Sequence, residues 1–422
     1  MTLAPARRIL ISAGEVSGDA AGARVAGEIL RRAPDTRIGG VGGQRMREAG
    51  VAIDVDSSRL ASVGVSEPFT TLPALAAMVR ALRRRVRDER PDAALLIGYD
   101  LFHVALARWL RRQGVAAISY FPPQVWLWRV FAGPMARSFD SVLTCFGEEQ
   151  AVYSGRGVDT AFVGHYLCDE LRPVDAADRA AARAALGLAA GGDIRRSGSA
   201  VDDAPTVIGL LPGSRAQEVR ALLPALLDAA ARLLGDDARR AFVLPVAEPH
   251  LAEEIGSRIA ARGLRQRITL TGDSHLAMRA SDLLIVASGT ACLEATLLRV
   301  PMVIVCNIGW LSLATVRLSQ RLRLLATERV GIPNLLLRRA AVPELLQAEV
   351  TGERVASAAS DLLASRERRE MQRAALAEAA AQVSGEGSAG RVADWVLHRA
   401  SVRAAAGAVW PAGRARVEAG AP

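Results

Sequence analysis

Arg215 closes the run Leu210-Leu-Pro-Gly-Ser-Arg215, with Glu218 three residues on, and a second run, Ala287-Ser-Gly-Thr290, is followed by Glu294. Backbone N–H groups at a helix start attract phosphate, and glycine lets an anion approach the chain closely. Gly213 and Ser214 in the first run, and Ser288, Gly289 and Thr290 in the second, are therefore candidates for holding a phosphate-bearing ligand. Arg215 adds a cation whose fork suits phosphate oxygens. The plainer reading of one such run is a turn plus a helix cap. Two of them in one half-chain, with an arginine, favour the ligand.

The elements that must position these residues are legible on either side of them. Val207 to Leu211 and Leu283 to Val286 read as buried parallel strands, and each run opens a helical pattern. Both turns then face one crevice beyond the strand carboxyl ends, where open α/β sheets bind ligands.

The first half repeats the theme with different residues. Arg8 to Ala13 is a strand that breaks at Gly14-Glu-Val-Ser-Gly-Asp19, with a helical pattern from Ala20 to Arg32. The G-x-G-x-x-G spacing of a dinucleotide fingerprint is absent. The turn reads as a ligand-facing loop carrying Glu15 and Ser17 rather than an NAD site. Ala93 to Ile97 is a strand followed by Gly98-Tyr-Asp-Leu-Phe-His103, which puts Asp100 and His103 where catalytic groups of α/β folds project. Either could serve as a general base. The plain alternative makes Asp100 an N-cap and His103 a helix-surface residue. Val115 to Tyr120 is the next strand, and it ends in Pro122-Pro-Gln-Val-Trp-Leu-Trp-Arg129.

Alternation of short apolar runs with amphipathic helical patterns continues to about Val305 and indicates an α/β class with parallel sheets. At 422 residues, half of them apolar, the chain can bury two cores. The expected division is residues 1–190 as an N-terminal unit, 191–205 as a Gly/Ser/Asp-rich flexible insertion, 206–365 as a second unit, 366–402 as helices packing back on the first, and 403–422 as a disordered tail. Net charge is +9, which suits an anionic partner, whether nucleotide or membrane surface. Basic strands interleaved with aromatics are missing, which argues against nucleic acid.

Cys145, Cys168, Cys292 and Cys306 lack metal-ligand spacing and read as reduced core residues of a cytoplasmic protein. The start lacks the apolar segment of a signal peptide, and no apolar run reaches the roughly 18 residues of a transmembrane helix. Leu72 to Arg87 is a helix, apolar at first and basic at its end. It reads either as core-facing with a solvated end or as lying in a membrane interface with Arg83, Arg84, Arg85 and Arg87 near head groups.

Taken together, these segments resemble one family, lipid-A-disaccharide synthase, a glycosyltransferase of the two-domain GT-B type. The segments are Gly14 to Asp19, Gly40 to Met46, Val125 to Arg129, Gly164-His165, Leu211 to Arg215 with Glu218, Ser288 to Thr290 with Glu294, Pro301-Met302, Pro333-Asn334 and Val342 to Gln347. The resemblance implies two Rossmann-like domains with parallel sheets facing a central crevice. It also implies transfer of 2,3-diacylglucosamine from UDP to the 6-hydroxyl of 2,3-diacylglucosamine 1-phosphate (lipid X), with inversion and with no essential metal or other cofactor. Localisation would be cytoplasmic, peripheral on the inner membrane, and residues 72–87 gain weight as the membrane element. A homodimer is left open.

Under that resemblance Arg215 and the adjoining N–H groups would stabilise the departing diphosphate, Glu294 would hold ribose hydroxyls, and Asn334 would help hold the nucleotide. Glu15, Ser17 and Arg129 fall on the substrate side, and Asp100 is the expected base, with His103 next in line. The family pattern Asp-x-Pro-Asp-Phe-Asn is shortened here to Asp100-Leu-Phe-His103. Deleting two residues keeps Asp100 as the base, whereas a gapless alignment sets Gly98 there. Two rival readings stand beside this one: a related transferase or UDP-sugar epimerase acting on a soluble sugar, which would lack detergent dependence, and an inactive UDP-sugar-binding homologue, which would bind without turnover.

Overall fold

The computed structural model describes residues 7–57, 68–98, 100–123, 125, 129–188, 205–307, 329–383 and 385–405; the side chains of Val16, residues 68–75, Asp100, Leu101 and Arg129 lie outside that description. The insertion expected over 191–205, apart from Pro205, and the tail from residue 406 lie outside it too. The chain divides into two units, Met1–Asp169 with Gly385–Pro422, and Glu170–Ser384.

In the first unit seven parallel strands lie in the order β3-β2-β1-β4-β5-β6-β7. They are β1 (Arg8–Ala13), β2 (Arg37–Gly42), β3 (Ala52–Asp56), β4 (Ala93–Ile97), β5 (Ala116–Tyr120), β6 (Ser141–Thr144) and β7 (Asp159–Phe162). The order reverses between β1 and β4, paired from Ile9↔Ala93 to Ala13↔Ile97, so their carboxyl ends form a switch point. From that edge start α1 (Val16–Arg32) and α4 (Asp100–Arg112), while α2 (Gln44–Glu48) and α3 (Pro68–Glu89) follow β2 and β3. Both faces of the sheet are covered, which is why β4 is a wholly buried apolar run.

Along α3, Met78, Leu82 and Val86 recur every fourth residue and pack with Leu10, Val41 and Leu96. Arg85 is drawn inward to Asp54 and Glu89, and this contact corrects its expected place among lipid head groups. The hydrogen bond to Asp54 raises its pKa further. Of its described side chains, Met78, Leu82 and Val86 face the core, whereas Ala76, Ala77, Arg80, Arg83, Arg84 and Arg87 are exposed.

In the second unit six parallel strands lie in the order β10-β9-β8-β11-β12-β13. They are β8 (Val207–Leu211), β9 (Ala241–Pro245), β10 (Ile268–Thr271), β11 (Leu283–Ala287), β12 (Met302–Cys306) and β13 (Glu344–Leu346). The reversal here falls between β8 and β11, paired from Leu283↔Ile208 to Val286↔Leu211. Helices α8 (Ala216–Asp236), α10 (Ser274–Ala280), α11 (Thr290–Leu298) and α12 (Ile332–Leu337) lie between the strands, and α13 (Gly352–Ala364) follows β13. α8 buries Leu222, Leu223, Leu226, Leu227 and Leu233 against Ile208, Leu210 and Ile285. At about 1.5–3 kcal/mol for each fully buried leucine, this face anchors the first turn of α8 against the sheet.

The units divide at points other than those expected. α7 (Ala176–Ala185) belongs to the second unit, because Arg183 bonds Asp282 at 2.6 Å and the Ala280 carbonyl at 2.9 Å. The boundary accordingly lies at Asp169 rather than residue 190. Of the C-terminal helices, α14 (Arg366–Val383) stays with the second unit, where the Gln372 amide bonds both the N–H (2.6 Å) and the carbonyl (3.1 Å) of Met302. Only α15 (Ser388–Ala405) returns to the first, where Ser388 Oγ donates to the Gly164 carbonyl at 2.8 Å and Arg391 Nη2 to that of Val163 at 2.7 Å.

Candidate functional site

The two runs singled out in the second half meet at one place. Pro212 to Arg215 follow β8 and Ser288-Gly289 follow β11, the strands that flank the switch point. Gly213 has φ +107°, and a Cβ there would lie 2.5 Å from Glu218 Oε2, so the carboxylate tucks under the turn. Arg215 is the N-cap residue of α8 in extended conformation and gives no side-chain cap. Its guanidinium, 62% exposed, lies 3.4 Å from Glu218. Exposed pairs of this kind are worth about 0–1 kcal/mol.

Gly289 caps α11 with φ +146° and ψ −154°, again with no side-chain cap, and no atom lies within 4 Å of the position a Cβ would take. Ser214 and Thr290 are exposed. Two helix N-termini, each with donors that no capping side chain meets, thus open at the same strand edge beside a cation. That arrangement can hold a phosphate or diphosphate.

Ser288 holds the turn in place, because its hydroxyl donates to the Val330 carbonyl at 3.0 Å. Glu344 continues the tie, accepting from the N–H groups of Val330 (3.1 Å) and Gly331 (3.0 Å) and from Asn334 Nδ2 (2.7 Å). Asn334 is 1% exposed and its amide is fully used: Nδ2 also donates to the Val342 carbonyl, and Oδ1 accepts from the N–H groups of Ala341 and Val342. It pins the turn into β13 and does not face a ligand, which corrects the nucleotide contact expected of it.

Glu294, with 17% of its side chain exposed, lies 3.5 Å from His275 Nε2. The bond to this carboxylate raises the pKa of His275. Neither His275 nor Glu344 was singled out in the sequence. The signal for His275 was its place just after β10, in the turn Gly272-Asp-Ser-His275 where Asp273 caps α10.

The first unit brings Glu15, Ser17 and Asp100 to the β1/β4 edge. Glu15, exposed, is the N-cap residue of α1; Ser17 is half-buried; Asp100 begins α4, its side chain outside the described set. Arg129 starts a 3-10 turn after β5, and its side chain is likewise outside that set. Asp19, by contrast, is buried and accepts from the N–H groups of Gly43 (2.6 Å), Arg45 (3.1 Å) and Met46 (3.2 Å), fixing the start of α2.

His103 is 2% exposed. Its Nδ1 bonds the Gly98 carbonyl, which can only accept, so Nδ1 carries the proton and Nε2 accepts from Ser12 Oγ at 3.0 Å. Burial lowers its pKa to about 4. A neutral ring locked between the ends of β1 and β4 is a staple rather than the reserve base expected from the sequence. His165 is lowered by burial to about 3, and its Nδ1 accepts from the Leu167 N–H.

Among the described residues no group of three or more His, Cys, Asp or Glu is placed to hold a metal ion. Cys145 and Cys292 are buried and free, with thiols pushed up by burial. Nor, among the described residues, is any helix long and apolar enough to cross a membrane.

Two parallel, doubly wound units define a GT-B type α/β protein. The chain shares this fold with a UDP-GlcNAc 2-epimerase from Neisseria meningitidis bound to UDP-GlcNAc, at 10% identity over 93% of this chain and 98% of that one with a TM-score of 0.59. A glycotransferase of kitacinnamycin is similar at 14% identity, 94% and 99% coverage and a TM-score of 0.58. Sequence then narrows the class. The family model for lipid-A-disaccharide synthetase matches residues 9–391. The lipid-A-disaccharide synthase of Anaeromyxobacter sp. (strain K) is 37% identical over 92% of this chain and 97% of its own length. The chain belongs to the lipid-A-disaccharide synthase family, and is a glycosyltransferase of lipid A biosynthesis.

Proposed function

We propose that the chain transfers the 2,3-diacylglucosamine unit of UDP-2,3-diacylglucosamine to the 6-hydroxyl of 2,3-diacylglucosamine 1-phosphate, by a single displacement that inverts the anomeric carbon. The observation that carries this reading is the pair of uncapped helix N-termini beside Arg215 at the β8/β11 switch point. UDP is the donor half. Its diphosphate sits on the N–H groups beyond Gly213 and Gly289, with Ser214 and Thr290 at the rim, and its ribose is held by Glu294, which His275 orients. As the C1–O bond to UDP breaks, the charge left on the diphosphate falls to Arg215 and these N–H groups, donors fixed before the reaction begins.

On the other side of the displacement Asp100 takes the proton of the acceptor hydroxyl as its oxygen bonds to C1. Glu15, Ser17 and Arg129 hold the acceptor. Both substrates carry two acyl chains, and at about 0.8 kcal/mol per buried methylene they are held in a bilayer. We assign the membrane contact to residues 72–87 of α3, with the exposed Arg80, Arg83, Arg84 and Arg87 facing head groups. Each such cation adds about 1 kcal/mol. Attachment is therefore peripheral, on the cytoplasmic face of the inner membrane.

Product analysis with both lipid substrates tests the reaction. The expected product is the β-1,6-linked disaccharide 1-phosphate with one UDP released per turnover, and no disaccharide from the authentic pair would sink the proposal. Asp100→Asn is expected to lower turnover by roughly 10²- to 10⁴-fold with UDP affinity nearly unchanged. Full activity in that variant would remove Asp100 from the role of base.

A further inference from the structure

On the opposite edge of the first unit's sheet, at the amino ends of β5, β6 and β7, two adjoining cavities of about 620 and 630 Å³ share a wall formed by Arg111, Arg137, Asp140 and Arg399. Arg108, Arg112 and Arg403 also line the first, with Val115, Ala116 and Val402 as its apolar part. None of these residues belongs to the strand-carboxyl edge where UDP is assigned.

Structural duty accounts for only part of this charge. Arg111 bonds Asp140 Oδ1 at 2.9 Å and the Arg137 carbonyl at 2.8 Å, and Arg399 pairs with Asp159. Arg108 instead donates to Ser138 Oγ at 2.9 Å, and Arg403 to the Gly114 carbonyl, acceptors that orient a guanidinium without neutralising it. α4, α5 (Ala132–Ser138) and α15 all end at this edge, and a helix C-terminus carries roughly half a negative charge. Three such ends and the two carboxylates offset a little over half of the six arginine charges. An excess of about two to three positive charges is left around a space within the usual range of ligand cavities, roughly 300–1,000 Å³.

We infer that this basic hollow binds a ligand carrying two or more phosphate-type negative charges, either a soluble polyphosphate or clustered anionic lipid head groups. Arg108 and Arg403 are preset by neutral acceptors, so these two bind with little reordering of their long side chains. Guanidinium forks suit phosphate oxygens better than the single carboxylate of Asp140 can saturate them.

The test uses the whole protein saturated with UDP, so that the donor site is closed to competing anions. Titration with inorganic tripolyphosphate, and flotation with phosphatidylcholine vesicles containing phosphatidylglycerol, are compared for wild type, Arg112→Ala/Arg137→Ala and the control Arg265→Ala/Arg267→Ala on the exposed surface of the other unit. The expected result is at least a tenfold loss in the pocket variant alone, with turnover in detergent unchanged. Loss in the tripolyphosphate arm identifies a soluble polyphosphate, and loss confined to the vesicle arm identifies a head group. Equal binding by all three proteins in both arms, or equal loss in the two variants, would overturn the inference.

Discussion

The switch points of the two units use the same strand-to-helix geometry to opposite ends. After β8 and β11, Gly213, Ser214, Gly289 and Thr290 leave helix starts without side-chain caps, and Arg215 makes an exposed pair with Glu218. After β1 and β4 two polar residues are consumed, Asp19 by three backbone N–H groups and His103 by Ser12 and the Gly98 carbonyl, while Glu15 stays exposed. A polar side chain after a strand thus has two fates, and burial separates them. Asn334, which pins the turn into β13, falls on the closed side although it lies in the unit with the open turns.

This contrast predicts that open positions cost function and closed ones cost stability. Arg215→Ala should lower turnover by roughly 10²- to 10³-fold, as removal of a donor at developing charge does. Its unfolding free energy should change by less than about 0.5 kcal/mol, as for an exposed side chain. Asn334→Ala should do the reverse. Loss of its bonds strands the N–H groups of Ala341 and Val342, costing about 2–3 kcal/mol in urea unfolding while UDP affinity of the folded protein holds. A destabilised Arg215→Ala, or an Asn334→Ala that loses UDP at full stability, would break the comparison.

The smallest effect is a pH dependence. His103 has its pKa lowered to about 4 in the fold against an ordinary 6.5, so the fold favours the neutral ring. The stabilisation is fully present above pH 6.5 and is lost as pH falls from there toward 4. Between pH 7 and 5 the wild type should lose about 2 kcal/mol through this residue alone. His103→Gln should flatten that share of the slope in unfolding titrations. An unchanged slope would mean that the ring is not held neutral.

Much of the frame was legible in the sequence because buried parallel strands leave plain apolar runs. Val207–Leu211, Arg8–Ala13 and Ala93–Ile97 were read at their observed limits. β3 and β13 were missed, being edge strands of five and three residues with carboxylates among them, so no apolar run announces them. Residue type marked the places where chemistry could occur, and the pairing of the turns at the switch points follows the sheet order. What composition could not give was burial. Asn334 and His103 look like ligands in a string of letters and become fasteners once their partners, eight and five residues away in sequence, are in view. His275 was overlooked for the opposite reason, since its importance comes from Glu294 on a different helix.

The chain leaves the first unit at Asp169 and re-enters it at Gly385, and a Cβ on Gly164 would lie 2.9 Å from the Gly385 Cα. The second unit is therefore an insertion between two segments that touch. During synthesis, the seven-stranded sheet is made long before α15, whose Ser388 and Arg391 close its last edge. The inserted unit, continuous in sequence, can finish folding while its host still waits for its final helix. Order of completion on the ribosome thus runs inside-out, with the nascent host exposing the apolar groove that Val392, Val396 and Ala400 later fill.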